Sequence, residues 1–187
     1  IALEKIGPAA FTSVEKMETE PMGYDSIAWQ RHIIELPKEQ AKHLPSANLI
    51  GNTHLQLLSA SQGAGSVNFP QDEDGIIRRA PTAIYFEGPG HVYPSITLSA
   101  FMDILDIPQD GFDYDFENKR LRLSDTTGAV VREIPIDDNG NMYINFYGPS
   151  KTFYYLSYMY CFDPEMLPPN YWQDKVAIVG TSLAGLF

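Results

Sequence analysis

Cysteine and positive charge are both scarce in this chain. Its 187 residues include one cysteine, Cys161, so no internal disulfide can form, and cysteine usage leaves both oxidising and reducing compartments open. Lysine and arginine number 13 against 24 aspartates and glutamates, a formal net charge of −11. So negative a surface repels the phosphates of nucleic acids and anionic lipid head groups. We therefore expect no nucleic-acid partner.

Long hydrophobic runs are also missing. A membrane helix needs about 18 consecutive apolar residues, and the best candidate, 96–107, is interrupted by Ser99, Asp103 and Asp106. The apolar share of 44% and the charged share of 20% are typical of a folded globular protein. The length fits one domain, so we expect residues 1–187 to form a single domain that is part of a longer protein.

Hydrophobic periodicity and turn residues predict a mixture of helices and strands. Helices are expected at 1–6, at 38–44, from 52 or 53 onward where either residue can cap, and at 95–105, which Pro94 and Ser95 open and Pro108 follows. Strands are expected at 9–14, 66–69 paired with 76–86, an antiparallel meander at 121–123, 129–136 and 142–147, and 176–179. The pattern predicts an α/β fold with a mixed sheet and flanking helices.

The last of these strands, Val176–Val179, has four consecutive apolar residues. Such a run is typical of a strand covered on both faces, so we predict that it lies at the centre of the sheet. Clustered aromatic residues precede it, and core packing is their simplest interpretation, with a ligand groove or a half-exposed face that meets a partner as alternatives: Tyr147, Phe153, Tyr154, Tyr155, Tyr158 and Tyr160. The acids at 103, 106, 110, 113, 115 and 117 are interpreted as a solvated face and loop.

Catalytic motifs are incomplete in this sequence. The segment around Ser182 resembles the nucleophile turn Gly-x-Ser-x-Gly, but its second glycine falls one residue late and no aspartate or histidine follows. A hydrolase that uses Ser182 remains an alternative, and a histidine and an acid near that hydroxyl would favour it. The four histidines lack zinc-protease spacing, and Cys161 lies among aromatic residues, which favours a buried hydrophobe. We expect no catalytic residue.

Two oxygen-rich segments, 72–75 and 137–141, resemble calcium-binding loops. Neither has the glutamate that an EF-hand places six residues after its glycine, since Pro81 and Phe146 occupy those positions. Aspartate, asparagine and glycine are also the residues that tight turns require. We therefore interpret both segments as turns and expect neither a metal nor a cofactor.

A pair of arginines directly follows the first of these turns. Arg78 and Arg79 point to opposite faces of a predicted strand, so one of them should face inward. A buried arginine needs an acidic partner, and Asp72 and Asp74 are the nearest acids in the sequence. The sequence therefore predicts a structural ion pair between Arg78 or Arg79 and Asp72 or Asp74.

The order of several short segments is more specific than any one motif. These segments are Gly65-Ser66-Val67-Asn68, Asp72, Asp74-Gly75, Arg78-Arg79, Pro81, Tyr93-Pro94-Ser95 with Leu98, Ile134-Pro135-Ile136-Asp137, Gly140, Ile144-Asn145-Phe146 with Gly148, and Lys175-Val176-Ala177-Ile178-Val179-Gly180. In this order, over Leu55 to Phe187, the chain resembles the second class of CHASE domains, which are cyclase- and histidine-kinase-associated sensory extracellular domains.

The resemblance implies a bacterial-type extracytoplasmic (periplasmic or extracellular) sensor, anchored by flanking membrane helices outside this fragment. It also implies a cytoplasmic adenylate cyclase, histidine kinase or serine/threonine kinase as output, with an unknown small molecule or protein as stimulus. No catalytic or ligand-binding residue and no cofactor is carried over. We expect the sheet to lack the family's first strands, so the domain would be partial. A purely structural homodimerisation module is a further alternative.

Overall fold

The computed structural model describes residues 2–4, 27–51, 55–149 and 152–180. The chain divides into two compact units, Ile1–Ile144 and Asn145–Phe187. Four helices are described in the first unit, in chain order: α1 (Ile27–Gln30), α2 (Lys38–Ala41), α3 (Leu55–Ala60) and α4 (Ile96–Leu105). Its strands are β1 (Ala2–Glu4), β2 (Ser46–Ala47), β3 (Leu49–Gly51), β4 (Arg79–Pro81), β5 (Ala83–Phe86), β6 (His91–Pro94), β7 (Phe112–Asp115), β8 (Arg120–Ser124), β9 (Val130–Pro135) and β10 (Asn141–Tyr143).

These strands form one mixed sheet and three antiparallel sheets. In the mixed sheet, ordered β2-β5-β6, β2 runs parallel to β5 and β5 antiparallel to β6. A meander joins β7, β8 and β9, while β1 pairs with β3 and β4 with β10. Mixed strands together with helices confirm the predicted α/β class.

The mixed sheet is covered on both of its faces. Successive residues of a strand point to opposite faces, and along β5 Ala83 packs in one buried cluster whereas Ile84 and Phe86 pack in another. The first cluster contains Leu98 of α4 and Leu121 of the meander. The central strand, buried on both faces, is therefore β5, which lies between β2 and β6.

The helix α4 forms where its sequence predicts it. The hydroxyl of Ser95 accepts a hydrogen bond of 3.2 Å from the N–H of Leu98, which caps the helix. Asp106 ends it in a left-handed conformation at φ 53°, and its N–H bonds the carbonyl of Met102. Leu98 and Met102 are buried one turn apart, so this face anchors the helix to the core.

Several element predictions were wrong because long-range pairing decides them. The predicted helix at 1–6 contains β1, which pairs with β3. The predicted pair 66–69 with 76–86 does not form, because the second segment breaks at Thr82 into β4 and β5 and each finds a distant partner. The meander is confirmed for β8 and β9, but its third member is β7, while β10 pairs with β4. The predicted strand 9–14 and the predicted helix start at 52 or 53 lie outside the described residues.

The second unit contains two short 3-10 helices, Tyr158–Cys161 and Pro164–Met166. Some of its described aromatic residues pair ring to ring: Tyr147 with Phe153 at 6.1 Å between centroids, Tyr158 with Phe162 at 5.3 Å, and Tyr171 with Trp172 at 5.1 Å. The core-packing prediction was wrong for five of them, all solvent-exposed: Tyr147, Phe153, Tyr154, Tyr155 and Tyr158. A core position needs another layer of side chains packed over it, and exposures of 59% to 83% show that these five rings have none among the described residues.

Val176–Val179 is not a strand, and the prediction of a central position for it was wrong. Ile178 is 93% exposed, and Val176 and Val179 are exposed as well. An apolar run indicates what can be buried but not which neighbouring strands will pair with it. In the described part of the chain, the doubly buried central position belongs to β5 instead.

Candidate functional site

The four charged residues singled out from the sequence lie together at the start of β4. Arg78 donates to both carboxylate oxygens of Asp74, at 2.9 and 2.7 Å, and to Asp72 at 3.1 Å. Arg79 donates to Asp72 at 2.6 Å. The arginine side chains are 44% and 37% exposed, so neither is buried as the argument for the pair assumed. Asp72, at 18%, is the more enclosed partner and bridges both arginines.

A tight turn places the two aspartates within reach of the arginines. The N–H of Gly75 bonds the carbonyl of Asp72 at 2.8 Å, and Gly75 adopts a left-handed φ of 77°, which glycine tolerates without strain. The carboxylate of Asp74 accepts from the N–H of Ile76 at 3.1 Å. The oxygen-rich segment 72–75 thus uses its oxygens on its own backbone and on the arginines, as its interpretation as a turn requires.

A fifth member of the cluster, Asp137, was not predicted. Arg79 contacts it at 3.3 Å across 58 residues of sequence. Asp137 also accepts hydrogen bonds from Asn141, through its backbone N–H at 2.9 Å and its side chain at 3.0 Å. The pairing of β10 with β4 places it there, and the signal in the sequence was the acidic turn 137–141, which local reasoning could not connect to Arg79.

Electrostatics hold these carboxylates in the charged form. Hydrogen bonds from Arg79 and then Arg78 keep the pKa of Asp72 below its ordinary value, and Arg78 does the same for the pKa of Asp74. Burial opposes ionisation of Asp137, but hydrogen bonds from Asn141 and its neighbours lower its pKa overall. The cluster is therefore a charged network that ties the turn 72–75 to β4 and to the turn before β10.

A second polar group, also missed in the sequence, links α4 to the segment after α1. His32 Nδ1 lies 2.7 Å from the hydroxyl of Ser99, and its Nε2 lies 3.2 Å from the carboxylate of Asp103. Arg31 donates to the same carboxylate at 3.3 Å. The sequence had suggested that Asp103 is only part of a solvated acidic face. In the structure its carboxylate also contacts His32 and Arg31. Neither a lone histidine nor a helical serine signals such a contact.

The distances among these three side chains resemble those of a Ser-His-Asp triad. The hydroxyl of Ser99, however, is not accessible to a substrate. Ser99 is 5% exposed and His32 is 3% exposed. Gly63 lies against the imidazole so closely that a Cβ built there would be 2.2 Å from His32 Cε1. A nucleophile must reach its substrate, and this hydroxyl is covered by the protein. The arrangement is thus a buried hydrogen-bond network that joins two segments.

The remaining candidates are dispersed. Ser182 and His54 lie outside the described residues, as does the side chain of Cys161. His43 stacks on Phe116 at 4.6 Å, and His91 is exposed on β6. Within the described ranges, no three histidine, cysteine or acidic residues are arranged to hold a metal ion. No described helix has the length and apolar character needed to cross a membrane.

Comparison with known proteins gives one match. The model of the CHASE2 domain family matches residues 11–187, which extends the resemblance found in the sequence toward the amino terminus. No curated protein and no solved structure matches the chain. The matched segment includes both the charged cluster and the network around His32. The chain therefore belongs to the CHASE2 domain family, whose members are extracytoplasmic sensory domains rather than catalytic ones.

Proposed function

We propose that this chain is the stimulus-receiving domain of a transmembrane receptor, and that it passes a conformational change to a cytoplasmic cyclase or kinase. The observation that carries the proposal is the family match over residues 11–187. The charge of −11 agrees with it, because such a surface has no affinity for nucleic acid. The hydrolase alternative concerns Ser182, which lies outside the described residues, and the covered hydroxyl of Ser99 does not provide another accessible nucleophile.

The charged cluster offers a route for such a change within the first unit. Arg79 contacts Asp72 in the preceding turn and Asp137 in the turn before β10. A shift of β10 would therefore alter both ion pairs of Arg79 at the same time. Only a change that alters the balance between two arrangements of the domain can transmit a signal, and breaking these pairs should alter that balance.

The test uses the parent protein in membranes, with its own flanking sequence. Cyclic-nucleotide formation or phosphoryl transfer would be measured for the wild type, for Arg79→Gln, and for Arg120→Gln as the control. Among the described residues Arg120 forms an ion pair with Glu133 alone, at 3.6 Å and at an exposed site, so its loss should leave output unchanged. We expect Arg79→Gln to change basal output several-fold, on the scale of allosteric couplings.

Two results would contradict the proposal. One is a parent gene that encodes neither membrane helices nor a cyclase or kinase domain on either side of this segment. The other is an output that stays the same when residues 11–187 are deleted. In either case the domain would not be regulating an output, and a structural dimerisation role would account better for its presence.

A further inference from the structure

A small cavity of about 210 Å³ lies in the first unit. Residues from α4, β9 and β10 and from the junction of β4 and β5 line it: Thr82, Ser95, Thr97, Leu98, Phe101, Arg132, Ile134 and Met142. Leu98 and Thr82 are buried, whereas Phe101 and Arg132 are exposed. The cavity therefore has an apolar floor and a rim that solvent reaches, which is the usual build of a ligand site.

The charge of this lining is opposite to that of the chain as a whole. The protein has 24 acids and 13 basic residues, yet the lining contains one arginine and no acid. On the same sheet Arg122 pairs with Asp113 at 2.8 Å, and Arg120 pairs with Glu133. Arg132 has no acidic partner within 4.0 Å among the described residues, so its charge is available to a ligand.

The register of the meander explains why Arg132 faces the cavity. Arg132 pairs with Leu123 across the sheet, and Ile134 pairs with Leu121. Both leucines are completely buried in the core, and paired residues project from the same face. Arg132 is therefore on the core side of β9, one position beyond the end of the apolar cluster.

We propose that this cavity binds a small monocarboxylate with a compact apolar body. Leu98, Phe101, Ile134 and Met142 would enclose the apolar part, and the guanidinium of Arg132 would pair with the carboxylate. A cavity of about 150 Å³ is sufficient for benzene, so this one has room for a ring or short chain that carries a carboxylate. The first turn of α4 contributes the positive end of its dipole at the same rim.

The proposal deepens the proposed sensor function and rests on it for its biological meaning. The cavity contacts β10 through Met142, and Thr82 bonds the carbonyl of Gly140, the residue that precedes β10, at 2.6 Å. A ligand that binds here would favour the arrangement in which α4, β9 and β10 enclose it.

The probe for the test is phenylacetate, titrated into the 187-residue chain by calorimetry or by NMR chemical-shift changes. Phenylacetamide has the same shape without the charge. We expect the wild type to bind phenylacetate about tenfold or more tightly than phenylacetamide, because a charge-assisted hydrogen bond is stronger than a neutral one. Arg132→Gln should lose that preference, whereas Arg120→Gln should retain it.

A second pair of variants tests the apolar wall. Phe101→Ala should weaken binding of both probes, whereas Ile104→Ala should not, since Ile104 lies on the same helix but does not line the cavity. Circular dichroism verifies that each variant is folded. Failure of the folded wild type to bind phenylacetate at about 10 mM, a concentration that reveals even very weak sites, would overturn the proposal. So would equal affinity of the wild type and Arg132→Gln.

These outcomes are separate from those of the receptor experiment. If the domain binds phenylacetate through Arg132 but the parent protein has no membrane-coupled output, the cavity stands and the sensor proposal fails. If Arg79→Gln changes the output while phenylacetate does not bind, the sensor stands and the cavity proposal fails.

Discussion

Replacing Gly63 by alanine tests whether the network around His32 holds the first unit together. A Cβ at this position would lie 2.2 Å from Cε1 and 2.4 Å from Nδ1 of His32. No real contact is this short, so the imidazole must move. Because His32 is almost completely buried, it has little space to move into, and its contacts with Ser99 and Asp103 should both be lost.

The expected cost follows from those two effects. Overpacking a well-filled site costs about 1–3 kcal/mol, and leaving a buried polar group without its partner costs about 1–3 kcal/mol. The strain is partly relieved by the same movement that breaks the hydrogen bonds, so the two costs overlap. We expect Gly63→Ala to lower the free energy of unfolding by about 2–4 kcal/mol.

Urea unfolding followed by tryptophan fluorescence provides the measurement. Trp29 is completely buried and precedes His32 by three residues, so its fluorescence should change when this region unfolds. Gly88→Ala is the matched control, since its Cβ would have no neighbour nearer than 3.9 Å. Ser99→Ala should cost less in the Gly63→Ala background than in the wild type, because the hydrogen bond is already broken there. If the free energies of unfolding of Gly63→Ala and Gly88→Ala differ by less than about 0.5 kcal/mol, the reasoning is refuted.

Two further predictions concern the charged cluster and the end of the described chain. The hydrogen bonds from Arg79 and Arg78 hold the pKa of Asp72 in the folded protein below its value of 3.8 in the unfolded chain. The ionised carboxylate therefore stabilises the fold above pH 3.8, and this stabilisation is lost as the pH falls through the pKa of the folded state. Arg79→Gln should therefore be less stable than the wild type at neutral pH in urea unfolding, with the difference shrinking below about pH 4; a difference that is constant with pH would contradict this. Ile178→Asp should change the melting temperature little, because the side chain is already in solvent, and a loss of several degrees would show that it is buried after all.

Local signals in the sequence predicted local structure well. Ser95 and Pro108 mark the limits of α4, and the acidic residues with Gly75 form the tight turn that their chemistry indicated. In each case the residues that decide the conformation are within a few positions of each other, so no knowledge of the rest of the chain was needed. The mixed α/β class followed from the same alternation of periods.

Distant pairing was beyond local reasoning. Residues 76–86 are typical of one strand when only the local sequence is considered, yet the structure divides them at Thr82 between two sheets. The partner of β4 comes about sixty residues later, and strands of similar composition compete for that place. The same applies to the buried network: nothing in the sequence connects His32 with Ser99, and only the fold brings the imidazole and the hydroxyl to 2.7 Å.

The division at Thr82 has a mechanical consequence for the molecule. Past Ile144 the backbone continues directly from β10, whose three residues pair with β4. A pull along β10 would load all its bonds to β4 together, whereas a pull away from the sheet would open them one by one, beginning where Ile144 bonds Arg78. Strand β4 is in turn one residue from β5, the middle strand of the mixed sheet. Tension on the chain beyond residue 144 would therefore reach the centre of the first unit through the hydrogen bonds of β10 with β4 and then through a single connecting residue, Thr82.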